Sequence, residues 1–126
     1  MENQKILSDP FLTAILTKRF EFIVREMTHT LYNSARSAII NNARDFSCCL
    51  TTGQGELLEV GESIPIHTYG SHYQAQTIYK HHDDVAEGDA YLHNSPYMPT
   101  LLVESLTFNK VLQNRKLTLS ISFDFV

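Results

Sequence analysis

The 126-residue sequence has no stretch of the roughly 20 apolar residues that a membrane-spanning helix needs. Its N-terminus, MENQKILSDP, lacks the basic start and continuous apolar run of a signal peptide, so we expect a cytoplasmic protein. Lysine and arginine number 10 against 14 aspartates and glutamates, and they form no cluster among the aromatic residues. The net charge of -4 therefore gives no electrostatic reason to expect a nucleic acid or an anionic membrane as partner.

Cysteine is also scarce, because Cys48 and Cys49 are the only two and they are adjacent. Neighbouring residues on a strand point to opposite faces, so a disulfide between them would be strained. We expect both to be small, reduced, buried side chains. A thiolate nucleophile would need a nearby base or cation, and the sequence identifies none.

Motifs of the common catalytic and cofactor sites are missing as well. Gly53 and Gly55 do not form a phosphate-binding loop, because no Gly-Lys-Ser/Thr follows them. No Ser-His-Asp, zinc-finger or dinucleotide pattern is present. The composition, with 43% hydrophobic and 19% charged residues, is that of one globular domain or part of one.

The hydrophobic periodicity predicts an α/β (α+β) fold, with a long N-terminal helix packed on a small mixed β-sheet and a second helix. The first helix should run from about Pro10 to about Ser37, with Asp9 as its N-cap. Apolar residues at spacings of three and four give this helix one buried face. These residues are Leu12, Leu16, Phe20, Ile23, Met27 and Leu31.

The central part of the sequence predicts a β-hairpin, a helix and a further strand. Residues 45–50 and 56–60 should pair across the glycine-containing turn TTGQG. Pro65 favours an extended segment before a second helix over residues 71–82, with Tyr73 among its inward-facing side chains. We expect a strand at residues 90–93 that pairs with the one following Asp45, so that both strands bring polar residues to a common site.

The C-terminal part alternates apolar and polar residues in TLLVESLTF and KLTLSISFDFV. This alternation is typical of two strands of a hairpin. An apolar, strand-forming end of this kind is an aggregation hazard unless another strand pairs with it.

Histidine and aspartate supply the first candidate site residues. The run His81-His82-Asp83-Asp84 has metal-binding residue types, but it lies at a predicted helix C-terminus, where the simpler interpretation is a solvated group. Asp45 follows Arg44, and the pair is either a surface ion pair or turn acceptor, or a carboxylate at a site.

The remaining polar candidates are histidines and asparagines near predicted strand and turn ends. His67 and His93 are each either a cleft residue or a structural hydrogen-bonding group. Asn41, Asn42 and Asn94 are suited either to orienting a substrate or to satisfying turn backbone.

Four blocks of the sequence resemble the hydantoinase B/oxoprolinase family, which includes the matching subunits of ATP-dependent acetone and acetophenone carboxylases. They are DP at 9–10, SAIINNARDFSCCL at 37–50, ESIPIHTYGSH at 62–72 and EGDAYLHNSPY at 87–97. Each resembles a block of the family's N-terminal region, and they stand in the family's order. The second, for example, is similar to the family pattern SPIIKERLDFSCAL.

The resemblance divides the chain into two parts. Residues 1–97 are similar to the N-terminal region of the family, whereas residues 98–126 lack the Gly-rich turn and His-x-x-Asp element that follow there. We therefore interpret residues 98–126 as a divergent C-terminal tail, produced by truncation or a frame change, and expect it to pack poorly. The expected domain is part of a larger fold.

The resemblance implies ATP-dependent hydrolysis of cyclic amides such as hydantoin or 5-oxoproline, in complex with a hydantoinase A-type subunit. The A-type partner phosphorylates the substrate, and the B-type part acts on the activated species. The alternatives are a fragment of one subunit of an ATP-dependent ketone carboxylase, or an inactive remnant that at most binds a partner subunit. The parent enzyme would use ATP and a divalent metal, Mn or Zn.

The resemblance also implies roles for particular residues. Asp45, His67 and Asn94 are the candidate catalytic residues. Candidate substrate-binding residues are Asn42, His93 and Tyr97. Asn42 stands where many family members have glutamate, so the family's pattern does not identify a complete set of metal ligands here.

Overall fold

A computed structural model describes residues 9–61, 65–93, 105–112 and 117–124 of the chain. These residues form two α-helices, one π-helical turn and five strands. In chain order they are α1 (Pro10–Ser34), the π-turn (Ile39–Ala43), β1 (Phe46–Thr52), β2 (Leu57–Val60), α2 (Pro65–His81), β3 (Ala90–His93), β4 (Ser105–Leu112) and β5 (Leu117–Asp124).

Helix α1 begins where its capping residues predict. The Asp9 carboxylate accepts a hydrogen bond from the backbone N–H of Phe11 at 2.9 Å, and Pro10 occupies the first turn, where its missing N–H costs nothing. The helix ends at Ser34, three residues earlier than predicted. Its apolar stripe packs on the sheet mainly through the second half of the helix. Val24 is buried, whereas Leu16 in the first half is 44% exposed.

The sheet has the strand order β2-β1-β5-β4-β3, and every described pairing is antiparallel rather than mixed. The β1–β2 hairpin is confirmed, and Gly55 in its turn has a φ of 81°, which glycine adopts readily. The predicted pairing of β1 with the strand at 90–93 is wrong, because β5 lies beside β1 and β4 separates β5 from β3. The reason is strand length: β5 matches β1 along seven residue pairs, whereas β3 has only four residues.

The C-terminal hairpin is confirmed, since β4 and β5 pair along eight residues. Contrary to the expectation of poor packing, these strands occupy the middle of the sheet, and Val111 and Thr118 are fully buried. The strand-forming end thus finds a partner in β1. The interpretation of residues 98–126 as a divergent tail stays a prediction.

Helix α2 starts at Pro65, so the extended segment predicted from this residue is wrong. Proline is well suited to the first position of a helix, because its fixed φ is already helical. The helix buries Gln74, Ala75 and Ile78, whereas Tyr73, predicted to face inward, is 48% exposed. Neither described helix is long and apolar enough to cross a membrane.

Strand β1 lies between the two helices and is buried on both faces. On one face Phe46, Cys48 and Leu50 pack with Val24 of α1. The opposite face carries the alternate residues, including Ser47 and Thr51, and α2 contacts β1 and β5. The sheet therefore has one apolar face against α1 and a more polar face on the other side of β1.

Candidate functional site

The chain reaches the amino end of β1 through two irregular turns. The π-turn is followed by Arg44, which has a φ of 53°, a backbone conformation unusual for a residue other than glycine. The backbone N–H of Phe46 then donates to the carbonyl of Arg44 at 2.9 Å, which places Asp45 at the corner of a three-residue turn. Single π-turns are frequent at functional sites, because the extra residue redirects the side chains that follow.

Arg44 does not form the ion pair with Asp45 that was one interpretation of the sequence. Its guanidinium carbon lies 5.4 Å from the centroid of the Tyr32 ring, as in a cation–π contact. Within the described residues, the ion pairs join Glu21 to Lys18 and to Arg25. The Asp45 carboxylate is therefore available for another role.

Three buried polar atoms at this end of β1 have no hydrogen-bond partner: Asn41 Oδ1, Asp45 Oδ1 and Ser47 Oγ. The amide nitrogen of Asn41 donates to the carbonyl of Ala35 at 2.8 Å, so only its oxygen is left over. Leaving a buried polar group unpaired costs about 1–3 kcal/mol. Most buried polar groups in native proteins are paired, so this concentration of unpaired atoms within seven residues marks a candidate site.

Ser47 is the site residue that sequence reasoning missed. It is 1% exposed and lies between Phe46 and Cys48, whose side chains pack towards α1. Because side chains alternate along a strand, Ser47 points to the opposite face. That alternation is visible in the sequence, where a hydroxyl stands between apolar residues of a core strand.

The other candidate residues are placed as follows. Asn42 is exposed in the π-turn, and His67 lies in the first turn of α2. His93 is the last residue of β3. Asn94 and Tyr97 lie outside the described residues.

The sheet register brings β3 to the same end of the sheet as Asp45. His93 pairs with Thr107 of β4, Thr107 with Ser122 of β5, and Ser122 with Ser47 of β1. With about 4.8 Å between neighbouring strands, the backbones of His93 and Ser47 are roughly 14 Å apart. The polar residues of β1 and β3 therefore lie at the same end of the sheet, but the two strands are not neighbours, because β4 and β5 lie between them.

The cysteines show the properties expected of buried thiols. Burial raises the pKa of Cys48 to about 11, although a hydrogen bond with Thr28 acts in the opposite direction. Cys48 and Cys49 are 0% and 1% exposed. Because Cys48 is a neutral thiol near pH 7, it does not have the character of a catalytic nucleophile.

The histidine–aspartate run at the end of α2 is solvated, as the simpler interpretation held. Its residues His81, His82, Asp83 and Asp84 are all exposed. No group of three or more histidine, cysteine, aspartate or glutamate side chains suited to a metal occurs among the residues that the structure describes. The unpaired Asp45 oxygen fits one ligand position, so the described part of the chain offers one candidate ligand and not a complete metal site.

Comparison with known proteins gives this site a family context. The family model for hydantoinase B/oxoprolinase matches residues 9–108, which extends past the boundary predicted at residue 97. The chain is 35% identical over 106 residues to the caprolactamase beta subunit of Pseudomonas jessenii, covering 82% of the chain. It is 32% identical over 108 residues to the 5-oxoprolinase PfmaA of Pestalotiopsis fici, covering 79% of the chain.

A third relative is the B-type subunit of a putative D-/L-hydantoinase from Pseudomonas sp. strain NS671, which is 30% identical over 94 residues and matches 71% of the chain. The matches cover only 18%, 8% and 16% of these three relatives, in the order given. The chain thus corresponds to less than a fifth of each relative.

Two solved structures share the fold. The crystal structure of the ATP-dependent caprolactamase from Pseudomonas jessenii superposes with a TM-score of 0.76 and 27% identity, over 93% of this chain and 21% of that one. A nucleotide-free structure of acetone carboxylase gives a TM-score of 0.82 over 98% of this chain and 17% of that one, and its 15% identity shows the fold alone. The family match spans most of the sequence and the fold agrees with it, so the chain belongs to the hydantoinase B/oxoprolinase family.

Proposed function

We propose that the chain is the N-terminal part of a hydantoinase B-type subunit that hydrolyses cyclic amides with ATP, in complex with an A-type subunit. Three relatives at 30% identity or more are named for cyclic amides: a caprolactamase, a 5-oxoprolinase and a hydantoinase. Two of them are named as one subunit of their enzyme, which supports a partner subunit. Because the chain covers a small share of each relative, the activity belongs to the larger assembly.

The observation that carries this proposal for the site is the pair of unpaired atoms, Asp45 Oδ1 and Ser47 Oγ. A ring amide presents an N–H donor and a carbonyl acceptor on the same edge. The Asp45 carboxylate can accept from the N–H, and the Ser47 hydroxyl can donate to the carbonyl. Both of these oxygen atoms are buried, so hydrogen bonds with the substrate would be stronger there than in water.

ATP serves to activate the substrate in this scheme. An amide is a poor electrophile. Transfer of the γ-phosphoryl group of ATP to the amide oxygen, attributed to the A-type partner, releases ADP and the proton of the ring nitrogen. Water then adds to the amide carbon, the C–N bond breaks as the nitrogen is protonated, and hydrolysis of the acyl phosphate that remains gives the ring-opened acid and phosphate. Mn or Zn in the parent enzyme would act as a Lewis acid. The roles assigned to Asn42, His67, His93, Asn94 and Tyr97 are part of the same proposal.

The carboxylase alternative has weaker support. Acetone carboxylase shares the fold, but an identity of 15% carries no information on substrate. The relatives at 30% identity or more instead act on cyclic amides, by their names. We therefore place this chain in the amide-hydrolysing branch.

A chimera tests the proposal. This chain replaces the matching 106-residue region of the Pseudomonas jessenii caprolactamase beta subunit, which is then assembled with its partner subunit. The measurement is the formation of the ring-opened amino acid from caprolactam in the presence of ATP, because ring opening is the step assigned to the B-type part. Asp45→Asn should lower this rate by on the order of 10²-fold or more, because the carboxylate contacts the reacting group.

Asp83→Asn is the matched control, since Asp83 is exposed and lies far along the chain from β1. It should leave the rate unchanged. The melting temperatures of all three chimeras are compared, so that a folding defect is recognised. A chimera that assembles but does not open caprolactam, or an Asp45→Asn chimera at the full rate, would contradict the proposal.

A further inference from the structure

Helix α1 is apolar on two opposite sides. Its inner side includes Val24, which is buried in the core beneath the sheet. Its outer side carries Phe11, Ile15 and Phe22, which are 75%, 46% and 53% exposed. At about 100° per residue these three positions lie within roughly 40° of each other and about 180° from the inner side.

The outer side also has two shallow depressions between its side chains. One concavity of about 460 Å³ is lined by Phe11, Ala14, Ile15, Lys18 and Arg19. A second, of about 250 Å³, lies further along the helix and is lined by Phe22, Arg25, Glu26, His29 and Thr30. Two large aromatic side chains exposed on one side of a helix are typical of a helix with a second packing partner.

The length of the relatives indicates what this partner is. The chain corresponds to 18% of the caprolactamase beta subunit and 16% of the hydantoinase B-type subunit, so each relative contains several times more polypeptide than this chain. The fold is nevertheless kept in the caprolactamase structure, with a TM-score of 0.76. A helix that is apolar on both sides fits a position between this region and the rest of such a subunit.

We propose that the outer face of α1, formed by Phe11, Ile15 and Phe22, is the surface on which the remaining polypeptide of a hydantoinase B-type subunit packs. The matching surface should present apolar side chains to the two depressions. It should also carry an acidic group near Arg19, which lines the first depression. This inference rests on the proposed function only for the identity of the larger subunit, because packing requires no catalysis.

Thermal unfolding without substrate or ATP tests this surface separately from activity. Phe22→Glu is introduced into the isolated chain and into the chimeric caprolactamase beta subunit. In the isolated chain the side chain is solvated, so the melting temperature should change by no more than about 2 °C. In the chimera a buried, unpaired carboxylate should lower it by about 5 °C or more.

Tyr73→Glu is the control, because Tyr73 is an aromatic residue on α2 with a similar exposure of 48%. It should be tolerated in both proteins. If Phe22→Glu is tolerated in the chimera, the outer face is not packed there and the inference is wrong. Phe22→Glu could instead lower the melting temperature of the isolated chain alone, with sedimentation showing a wild-type dimer and a monomeric variant. The outer face would then serve self-association, and the inference would be wrong.

Discussion

Buried polar groups are hydrogen-bonded at one end of β1 and unpaired at the other. At the carboxyl end, the Thr51 hydroxyl donates to the carbonyl of Thr118 at 3.4 Å. The Thr118 hydroxyl in turn forms a 2.9 Å hydrogen bond with the Tyr79 hydroxyl of α2. At the amino end, Asp45 Oδ1 and Ser47 Oγ are buried without a partner.

We propose that this difference separates a structural role from a binding role on one strand. Polar groups that serve only the fold are paired within it, because an unpaired group destabilises the native state. Groups kept unpaired at the other end are stabilised when a ligand supplies the missing hydrogen bonds. Active sites commonly sacrifice stability in this way.

A substitution on the apolar face of β1 should cause the largest loss of stability, against which the losses at the two ends of the strand can be compared. Leu50 is 1% exposed and packs in the core with Val24 and Phe46. Leu50→Ala should lower the free energy of unfolding by about 2–5 kcal/mol, because it removes buried surface and leaves a cavity. Denaturant unfolding measures it, and Leu92→Ala is the control, since Leu92 is 65% exposed. Equal losses for the two variants would contradict the assigned core.

The next largest effect is a pH dependence of the free energy of unfolding, which arises from Cys48 on the same face of β1. Burial raises the pKa of Cys48 from 9.0 to about 11, so the folded state favours the neutral thiol. The stabilisation is complete below pH 9 and should be lost as the pH rises to 11, by up to roughly 2–3 kcal/mol. Denaturant unfolding at several pH values measures the loss.

Cys48→Ala is the control for this pH dependence, because it removes the titrating thiol. The variant should have a flatter profile between pH 9 and 11 than wild type. Identical profiles would show that Cys48 is not the group responsible.

The carboxyl end of β1 should show a smaller loss. Tyr79→Phe removes the hydroxyl that bonds Thr118 while keeping the ring in place. We expect a decrease of about 1 kcal/mol in the free energy of unfolding, the usual contribution of such a hydrogen bond. Unfolding by urea measures this decrease as a lower midpoint, with an m-value equal to that of wild type. An unchanged midpoint would mean that this pair is dispensable and would remove the contrast between the two ends.

Local patterns predicted much of the fold. Asp9-Pro10, the glycine-containing turn after β1 and the alternation in the C-terminal segment located α1 and both hairpins. Pairing between distant strands was not predictable in the same way, because it depends on which strands compete for β1, and β5 matched it over more residues. The start of α2 is not determined by the local sequence, because Pro65 suits either an extended segment or a first helical position.

The candidate site was only partly predictable. Asp45 followed from the family's motif, and its position beside a core strand was visible in the sequence. Ser47 was missed because a serine within an apolar strand is ordinarily paired, and only the three-dimensional structure shows that its hydroxyl has no partner. The position of the polar residues of β1 and β3 at the same end of the sheet likewise depends on the register of the two strands that lie between them.

The most direct test of the central claim is the free energy of unfolding of Ser47→Ala, measured beside Tyr79→Phe in the same chain. If the amino end of β1 is kept open for a ligand, removing the Ser47 hydroxyl deletes an unpaired buried group. The variant should then be as stable as wild type or more stable, by up to about 1 kcal/mol, while Tyr79→Phe is less stable. A loss of about 1 kcal/mol or more in Ser47→Ala would show that its hydroxyl is bonded within the fold and would contradict the binding role.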